Sequence, residues 1–95
     1  MIVVMVCHNN FKHTKDAVKS ILDSKDDKTG VKLVLVDNGS DDGVTWEYMQ
    51  ELVKDNPGFI EAHRNARNEW FTIANGEVIK RYPGEDIYLL NYLYR

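Results

Sequence analysis

The chain has 95 residues, 43% of them hydrophobic and 28% charged, a composition typical of one small folded domain. Twelve lysines and arginines against fifteen acidic residues give a net charge of −3, so the basic surplus that attracts nucleic acid is absent. A single cysteine, Cys7, rules out an internal disulfide, and no apolar run approaches the roughly 20 residues that cross a bilayer. We therefore expect a cytoplasmic protein without a transmembrane segment.

The first third of the chain has the pattern of a strand, a helix and a second strand. Residues Ile2 to Cys7 form an unbroken apolar run rich in β-branched side chains, which predicts a strand buried on both faces. From Phe11 to Ser24 the apolar residues follow helical spacing, and Val31 to Val36 form a second buried strand. Two such strands joined by a helix require a parallel pair with a right-handed crossover.

The rest of the chain continues this alternation with less regular signals. We expect a helix at about Val44–Lys54, a short strand at Phe59–His63, a helix at about Asn65–Ala74 ended by Asn75-Gly76, a short strand at Glu77–Lys80 and a last element of open type at Ile87–Tyr94. Residues 59–73 also fit one long helical stripe. The whole pattern predicts a three-layer α/β/α domain with a mostly parallel, Rossmann-like sheet.

Polar residues follow both strands of the first unit, at the sheet edge where open parallel sheets bind ligands. They are Cys7-His8-Asn9-Asn10 and Asp37-Asn38-Gly39-Ser40. A carboxylate at Asp37 suits a ribose, because it accepts two hydrogen bonds from a diol, but capping of the following turn explains it equally well. The glycine-rich phosphate loops of P-loop and dinucleotide enzymes are absent from the sequence.

Other reactive side chains form weaker patterns. Neighbouring strand residues point to opposite faces, so Cys7 and His8 do not make a nucleophile–base pair, and we expect Cys7 to be a buried packing residue. The three histidines lack the spacing of metal ligands. The chain ends in a stretch rich in leucine and tyrosine, which predicts either packing on the sheet or a self-association surface. Its tyrosines are Tyr88, Tyr92 and Tyr94.

Three segments together resemble family 2 glycosyltransferases. Residues Val3 to Asn10 are similar to the family's first strand, which typically ends in Thr-Tyr-Asn. Residues Val34 to Gly43 resemble its Val-Val-Asp-Asn-Gly-Ser-x-Asp-Gly segment very closely. Ala66-Arg67-Asn68, with Ala74 to Ile79 beginning six positions after Asn68, is similar to its Ala-Arg-Asn and Ala-x-Gly-Glu-Tyr-Ile pattern. The resemblance extends over about Ile2 to Asp86.

This resemblance implies a GT-A fold that binds a nucleoside diphosphate sugar, most often a uridine one. It implies that His8 and Asn9 line the nucleoside site and that Asp37, followed by Asn38, binds the base or ribose. Arg67 matches an arginine whose loop faces the donor, and a cation there would bind the diphosphate. The alternative is that Arg67 lies on the surface of a helix and does not contact the donor. The sequence does not name the sugar or its acceptor.

The resemblance also implies a divalent metal, Mn²⁺ or Mg²⁺, held by a Leu-Asp-x-Asp-Asp segment at the end of a strand. The corresponding residues here are Tyr82 to Asp86, where Pro83 replaces the first acid and Glu85 and Asp86 remain as the expected pair. The family's acceptor half and general base fall beyond residue 95, so we assign no catalytic residue. Sugar transfer would then need groups from a partner chain or a second copy in a homo-oligomer. The alternative is a non-catalytic assembly domain of the same fold.

Overall fold

The computed structural model describes residues 1–24, 27–67 and 71–90, with the backbone alone for residues 71–75. In chain order the elements are β1 (Ile2–Cys7), α1 (Phe11–Asp23), β2 (Lys32–Asn38), α2 (Thr45–Asp55), β3 (Ile60–Asn65), α3 (Phe71–Arg81) and β4 (Ile87–Leu89). Strands and helices therefore alternate throughout the described chain.

The strands form one sheet in the order β3-β2-β1-β4, and its pairings are parallel. At the carboxyl end of the sheet the register places Cys7 beside Asp37, and Asp37 beside Arg64. At the amino end Ile2 pairs with Ile87. Because the chain adds β2 and β3 on one side of β1 and β4 on the other, the strand order reverses at β1. Ligands of open α/β sheets bind beyond the carboxyl ends of the strands at such a reversal.

Side chains of the sheet alternate between two faces, and each face has its own apolar core. The core on the side of α1 and α2 contains Met5, Cys7, Val18, Leu33, Leu35, Met49, Leu52 and Ile60. The core on the side of α3 contains Ile2, Val4, Val6, Val34, Val36 and Val78. Strands β1 and β2 contribute to both cores, which explains their unbroken apolar runs. The arrangement confirms the predicted three-layer α/β/α fold.

The first half of the chain follows the sequence prediction closely. Helices α1 and α2 lie where helical spacing predicts them, and Cys7 is fully buried as expected. The second strand is longer than predicted, because β2 includes Asp37 and Asn38. Both of these polar side chains are buried, so they belong to the sheet as well as to the loop that follows it.

The predicted helix overlaps the observed one at residues 71–74, but its predicted start and end and the predicted strand at 77–80 are wrong. Strand β3 continues to Asn65, where a helix was expected to begin. Helix α3 passes through Gly76, which was expected to end a helix, and includes Glu77–Lys80, which was expected to be a strand.

Helical packing explains this difference in α3. Val78 is buried on the sheet, and Tyr82, four residues later, packs on the same core, which is the spacing of one helix face. Lys80 and Arg81 occupy the last turn, where cations interact favourably with the helix dipole. The β-branched pair Val78-Ile79 resembles a strand only when it is considered without this tertiary packing.

The last described element is the short strand β4. Leu90 continues its ladder by donating a backbone hydrogen bond to the carbonyl of Val4, at 2.9 Å. The tyrosine-rich stretch expected to continue from it lies outside the described residues after Leu90. In the parts of the chain that are described, no helix has the length and apolar character needed to span a bilayer.

Candidate functional site

The carboxyl edge of the sheet carries most of the residues expected to bind a nucleotide. His8 and Asn9 follow β1 directly, and Asp37 and Asn38 end β2. Arg67 lies two residues beyond β3 and is exposed. The structure therefore brings the first four residues together at one edge and places Arg67 after the neighbouring strand.

Asp37 is the most buried polar residue of this edge, with a side chain that is 0% exposed. Its Oδ1 accepts a hydrogen bond from the backbone N–H of Ser40, at 3.0 Å, so the carboxylate does hold the following turn. Its Oδ2 is buried and accepts no hydrogen bond from the residues that the structure describes. A buried carboxylate oxygen without a donor is costly, so this atom is a candidate ligand contact.

Arg64 is the cation that faces this carboxylate. Its Nε lies 3.4 Å from Asp37 Oδ2, and one terminal nitrogen donates to the carbonyl of Ser40 at 3.1 Å. The guanidinium carbon lies 5.8 Å from the centre of the Trp46 ring, within the range of a cation–π contact. Arg64 is 47% exposed, so the ion pair is open to solvent on one side.

Sequence reasoning missed Arg64 because it ended the third strand at His63. Apolar Ile60 and Ala62 alternate with polar neighbours, but residues 63–65 are all polar, so the apolar alternation ends before Arg64. In the observed strand Arg64 lies on the same face as Ala62, next to the end of β2. The register that sets Arg64 beside Asp37 is visible only in the folded sheet.

His8 and Asn38 lie on the opposite face of the sheet from Asp37. His8 Nδ1 donates to the backbone carbonyl of Asn38 at 2.9 Å, which holds the loop after β1 against the end of β2. The side-chain oxygen of Asn38 accepts a hydrogen bond from Asn65, also at 2.9 Å. These contacts give both predicted residues a structural role at the rim of the site.

Asp41 and Asp42, in the loop between β2 and α2, have different roles. Asp42 Oδ1 accepts hydrogen bonds from the backbone N–H groups of Val44 and Thr45, and its Oδ2 accepts one from the Thr45 hydroxyl. Partial burial raises the pKa of Asp42, but these hydrogen bonds outweigh that effect and bring it below the ordinary value. Asp42 therefore satisfies the backbone N–H of Thr45, the first residue of α2, whereas Asp41 contacts Asn9.

A second group of titratable side chains lies on the α3 face of the sheet. Glu61 Oε2 accepts hydrogen bonds from the Tyr82 hydroxyl and, at 2.6 Å, from His63 Nε2, and Lys32 lies 3.7 Å from Glu61 Oε1. Desolvation raises the pKa of Glu61, but its hydrogen bonds and the nearby positive charges bring it below the ordinary value. Desolvation and the bond to Glu61 raise the pKa of Tyr82 to about 12. The network ties the end of α3 to β3.

The expected metal pair, Glu85 and Asp86, is not brought to the carboxyl edge. The Glu85 carboxylate lies 3.7 Å from the amino group of Met1, and the backbone carbonyl of Asp86 accepts from the N–H of Ile2 at 2.7 Å. Both residues therefore lie at the amino end of β1, about 17 Å from its other end at ~3.3 Å per residue. Among the described side chains no group of three or more metal-ligating residues occurs. These residues do not fit a metal beside a nucleotide at Asp37.

Comparison with protein families gives a match to "Glycosyl transferase family 2" over residues 2–91. The chain belongs to family 2 of the glycosyltransferases. This confirms the resemblance derived from the three sequence segments. Comparison with curated proteins gives no match.

Solved structures support a GT-A glycosyltransferase fold for this family 2 chain. One of them is the mannosyltransferase PcManGT from Pyrobaculum calidifontis in complex with GDP-Man and Mn²⁺, with a TM-score of 0.77 and 16% identity. The match covers 90% of this chain and 25% of that protein. The likeness shows the fold, and this chain spans a quarter of the length of that relative.

The sequence contains two Gly-Glu pairs. Gly76-Glu77, the pair in the resemblance, lies inside α3, whereas Gly84-Glu85 precedes the strand β4.

Proposed function

We propose that this chain binds a nucleoside diphosphate sugar, with uridine as the nucleoside, at the carboxyl edge of β1 and β2. The observation that carries the proposal is Asp37 Oδ2, a buried carboxylate oxygen that accepts no hydrogen bond from the described residues. A donor on the ligand would supply the hydrogen bond that Asp37 Oδ2 lacks, beside its ion pair with Arg64. Membership of family 2 makes a nucleotide sugar the ligand class that we favour.

The pattern of donors and acceptors around Asp37 supports uracil as the base. Ser40 already occupies Oδ1, so one acceptor remains, and the Arg64 guanidinium lies beside it. The edge of uracil has one N–H between two carbonyls, which suits a single acceptor beside a cationic donor. The edge of guanine has two adjacent donors, which pair best with both oxygens of a carboxylate. On this argument we expect UDP to bind more tightly than GDP.

Sugar transfer requires groups that we do not assign to the described residues. The general base and the acceptor site are expected from elsewhere, either from further chain or from a partner. The described residues around Asp37 would hold the nucleoside part of the donor. We therefore propose nucleotide-sugar binding as the function of this part of the molecule.

Calorimetric titration with UDP and GDP, each with EDTA and with Mn²⁺, tests the proposal. We expect UDP to bind, and the Asp37→Asn variant to lose at least tenfold in affinity, or about 1.4 kcal/mol. Asp55→Asn is the matched control, because Asp55 is exposed at the far end of α2, and it should bind like the wild type. Absence of binding to either nucleotide by the wild type would contradict the proposal and favour the non-catalytic assembly role.

A further inference from the structure

The loops that follow β1 and β2 are joined through a single residue, Asn9. Its side-chain nitrogen donates to Asp41 Oδ1 at 2.8 Å, and its side-chain oxygen accepts from the backbone N–H of Asp41 at 2.8 Å. Its own backbone N–H donates to Ser40 Oγ at 2.9 Å. Three hydrogen bonds therefore cross between residues that are far apart in the sequence.

The side chain of Asn9 is committed to the protein. Both ends of its amide face Asp41, and its nitrogen also lies 3.5 Å from His8 Nε2. Its backbone has a φ of 53°, a left-handed conformation that asparagine tolerates better than most residues. Both observations are unlike those expected of an amide held ready for a ligand, which was the role predicted from the sequence.

A continuous path of contacts leads from Asn9 to Asp37. The Ser40 hydroxyl accepts the hydrogen bond from Asn9, and the backbone N–H of Ser40 donates to Asp37 Oδ1. Fixing Ser40 thus fixes Oδ1, which in turn sets the direction of Oδ2. Arg64 closes the same turn from the other side through the carbonyl of Ser40.

We propose that Asn9 and Asp41 form a clasp that positions Asp37 for the nucleoside, so that Asn9 is a positioning residue that does not contact the ligand. The proposal rests on the proposed function for its effect on binding. The clasp itself is a property of the unliganded protein. Because the two side chains pair an amide with a carboxylate, exchanging them preserves the hydrogen bonds.

Exchanging the two side chains, first singly and then together, tests the clasp. Asn9→Asp places two carboxylates face to face, and we expect the Kd for UDP to rise about tenfold. Asp41→Asn leaves an oxygen that accepts from Asn9, so its loss should be smaller than that of Asn9→Asp. In the double variant, Asp41→Asn supplies the side-chain donor and Asn9→Asp supplies the acceptors, so the hydrogen bonds between the two loops are restored. The Kd for UDP should then return to within about threefold of the wild type.

Two measurements separate positioning from loss of fold. The ¹⁵N–¹H shift of the Ser40 amide in the unliganded protein should move in Asn9→Asp and return in the double variant. Thermal unfolding checks that each variant is folded. Asn9→Gly is a second variant, which removes the side-chain amide while glycine still suits the positive φ at this position.

The outcomes discriminate among the alternatives. A loss of affinity in Asn9→Asp that the double variant does not recover would overturn the clasp and support direct contact of Asn9 with the ligand. Wild-type affinity together with an unmoved Ser40 shift in Asn9→Asp would also overturn it. If the wild type binds no nucleotide, the proposed function fails, and the Ser40 shifts alone still decide whether the clasp exists.

Discussion

At the scale of single residues, the site depends on how one buried carboxylate is neutralised. Asp37 has no exposed surface, and Arg64 supplies the cation at 3.4 Å while remaining half exposed itself. A buried charge is tolerated when it is paired, and removal of one partner leaves the other uncompensated. The Asp37–Arg64 ion pair should therefore contribute to the stability of the fold as well as to ligand binding.

We expect Arg64→Met to lower the free energy of unfolding by about 2 kcal/mol. This value lies below the roughly 3–5 kcal/mol typical of breaking a fully buried pair, because solvent screens the exposed side of Arg64. Urea denaturation at pH 7 measures the change. Lys19→Met, which removes an exposed cation from the middle of α1, should change stability by less than about 0.5 kcal/mol.

The double variant Arg64→Met/Asp37→Asn provides the decisive comparison for this pair. It removes the uncompensated charge, so it should be more stable than Arg64→Met alone. Equal stability of the single and the double variant would show that Arg64 acts through its contacts with Ser40 and Trp46 and not through the charge of Asp37.

At the scale of elements, α3 differs most from the sequence prediction, and Gly76 provides a direct test of it. Gly76 has no unusual φ, and a Cβ built on it would meet no atom within 4 Å. Gly58, by contrast, has a φ of 81° in the turn before β3, although a Cβ there would also meet nothing. The two glycines therefore differ in backbone conformation and not in the space around them.

We expect Gly76→Ala to raise the free energy of unfolding by about 0.5–1 kcal/mol, because alanine is the better helix former and has less freedom in the unfolded chain. Gly58→Ala should lower it by about 1 kcal/mol, since its φ is strained for any residue with a Cβ. Chemical denaturation of both variants measures whether each substitution raises or lowers the free energy of unfolding. Destabilisation by Gly76→Ala would mean that this position ends a helix, as the sequence pattern alone predicts.

The elements also show why some parts of the fold follow from sequence and others do not. The runs at Ile2–Cys7 and Val31–Val36 are buried on both faces, so their composition alone predicts strands. The boundary between β3 and α3 depends on which side chains reach the sheet, and Val78 looks like a strand residue until it packs with Tyr82. The strand pattern placed Asp37 at the carboxyl edge of the sheet, where the structure has it, whereas its partner Arg64 depends on strand register, which short-range patterns do not encode.

At the scale of the whole molecule, a polar contact on the α3 face of the sheet joins the end of α3 to the edge strand β3. Tyr82, just after α3, reaches Glu61 on β3, although β2 and β1 lie between β3 and β4. The hydroxyl donates to the carboxylate only while the tyrosine is protonated. The contact therefore depends on pH in the alkaline range.

The pKa of Tyr82 is raised from its ordinary value of 10.0 to about 12 in the folded protein. A raised pKa means that Tyr82 contributes its stability below pH ~10, and that this contribution is lost as the pH rises towards about 12. We expect Tyr82→Phe to be less stable than the wild type by about 1 kcal/mol at pH 8. The difference should shrink between pH 10 and 11.5.

Urea denaturation at several pH values measures this loss. Tyr88→Phe is the matched control, since Tyr88 is 54% exposed on β4, and the difference between it and the wild type should stay constant over the same range. A constant difference for Tyr82→Phe as well would contradict a functional Tyr82–Glu61 hydrogen bond.

The strand order has a consequence for how the chain folds. Ile2 pairs with Ile87, so the β1–β4 ladder closes a loop that contains nearly every other element, and such distant pairings form slowly. His8, Asp37 and Arg64 all belong to β1, β2 and β3 or to the loops directly after them, and these strands pair through shorter connections. We therefore expect the contacts that build the candidate nucleoside site to form earlier in folding than the β1–β4 ladder, and a nucleotide that binds there would stabilise the sheet before its last strand docks.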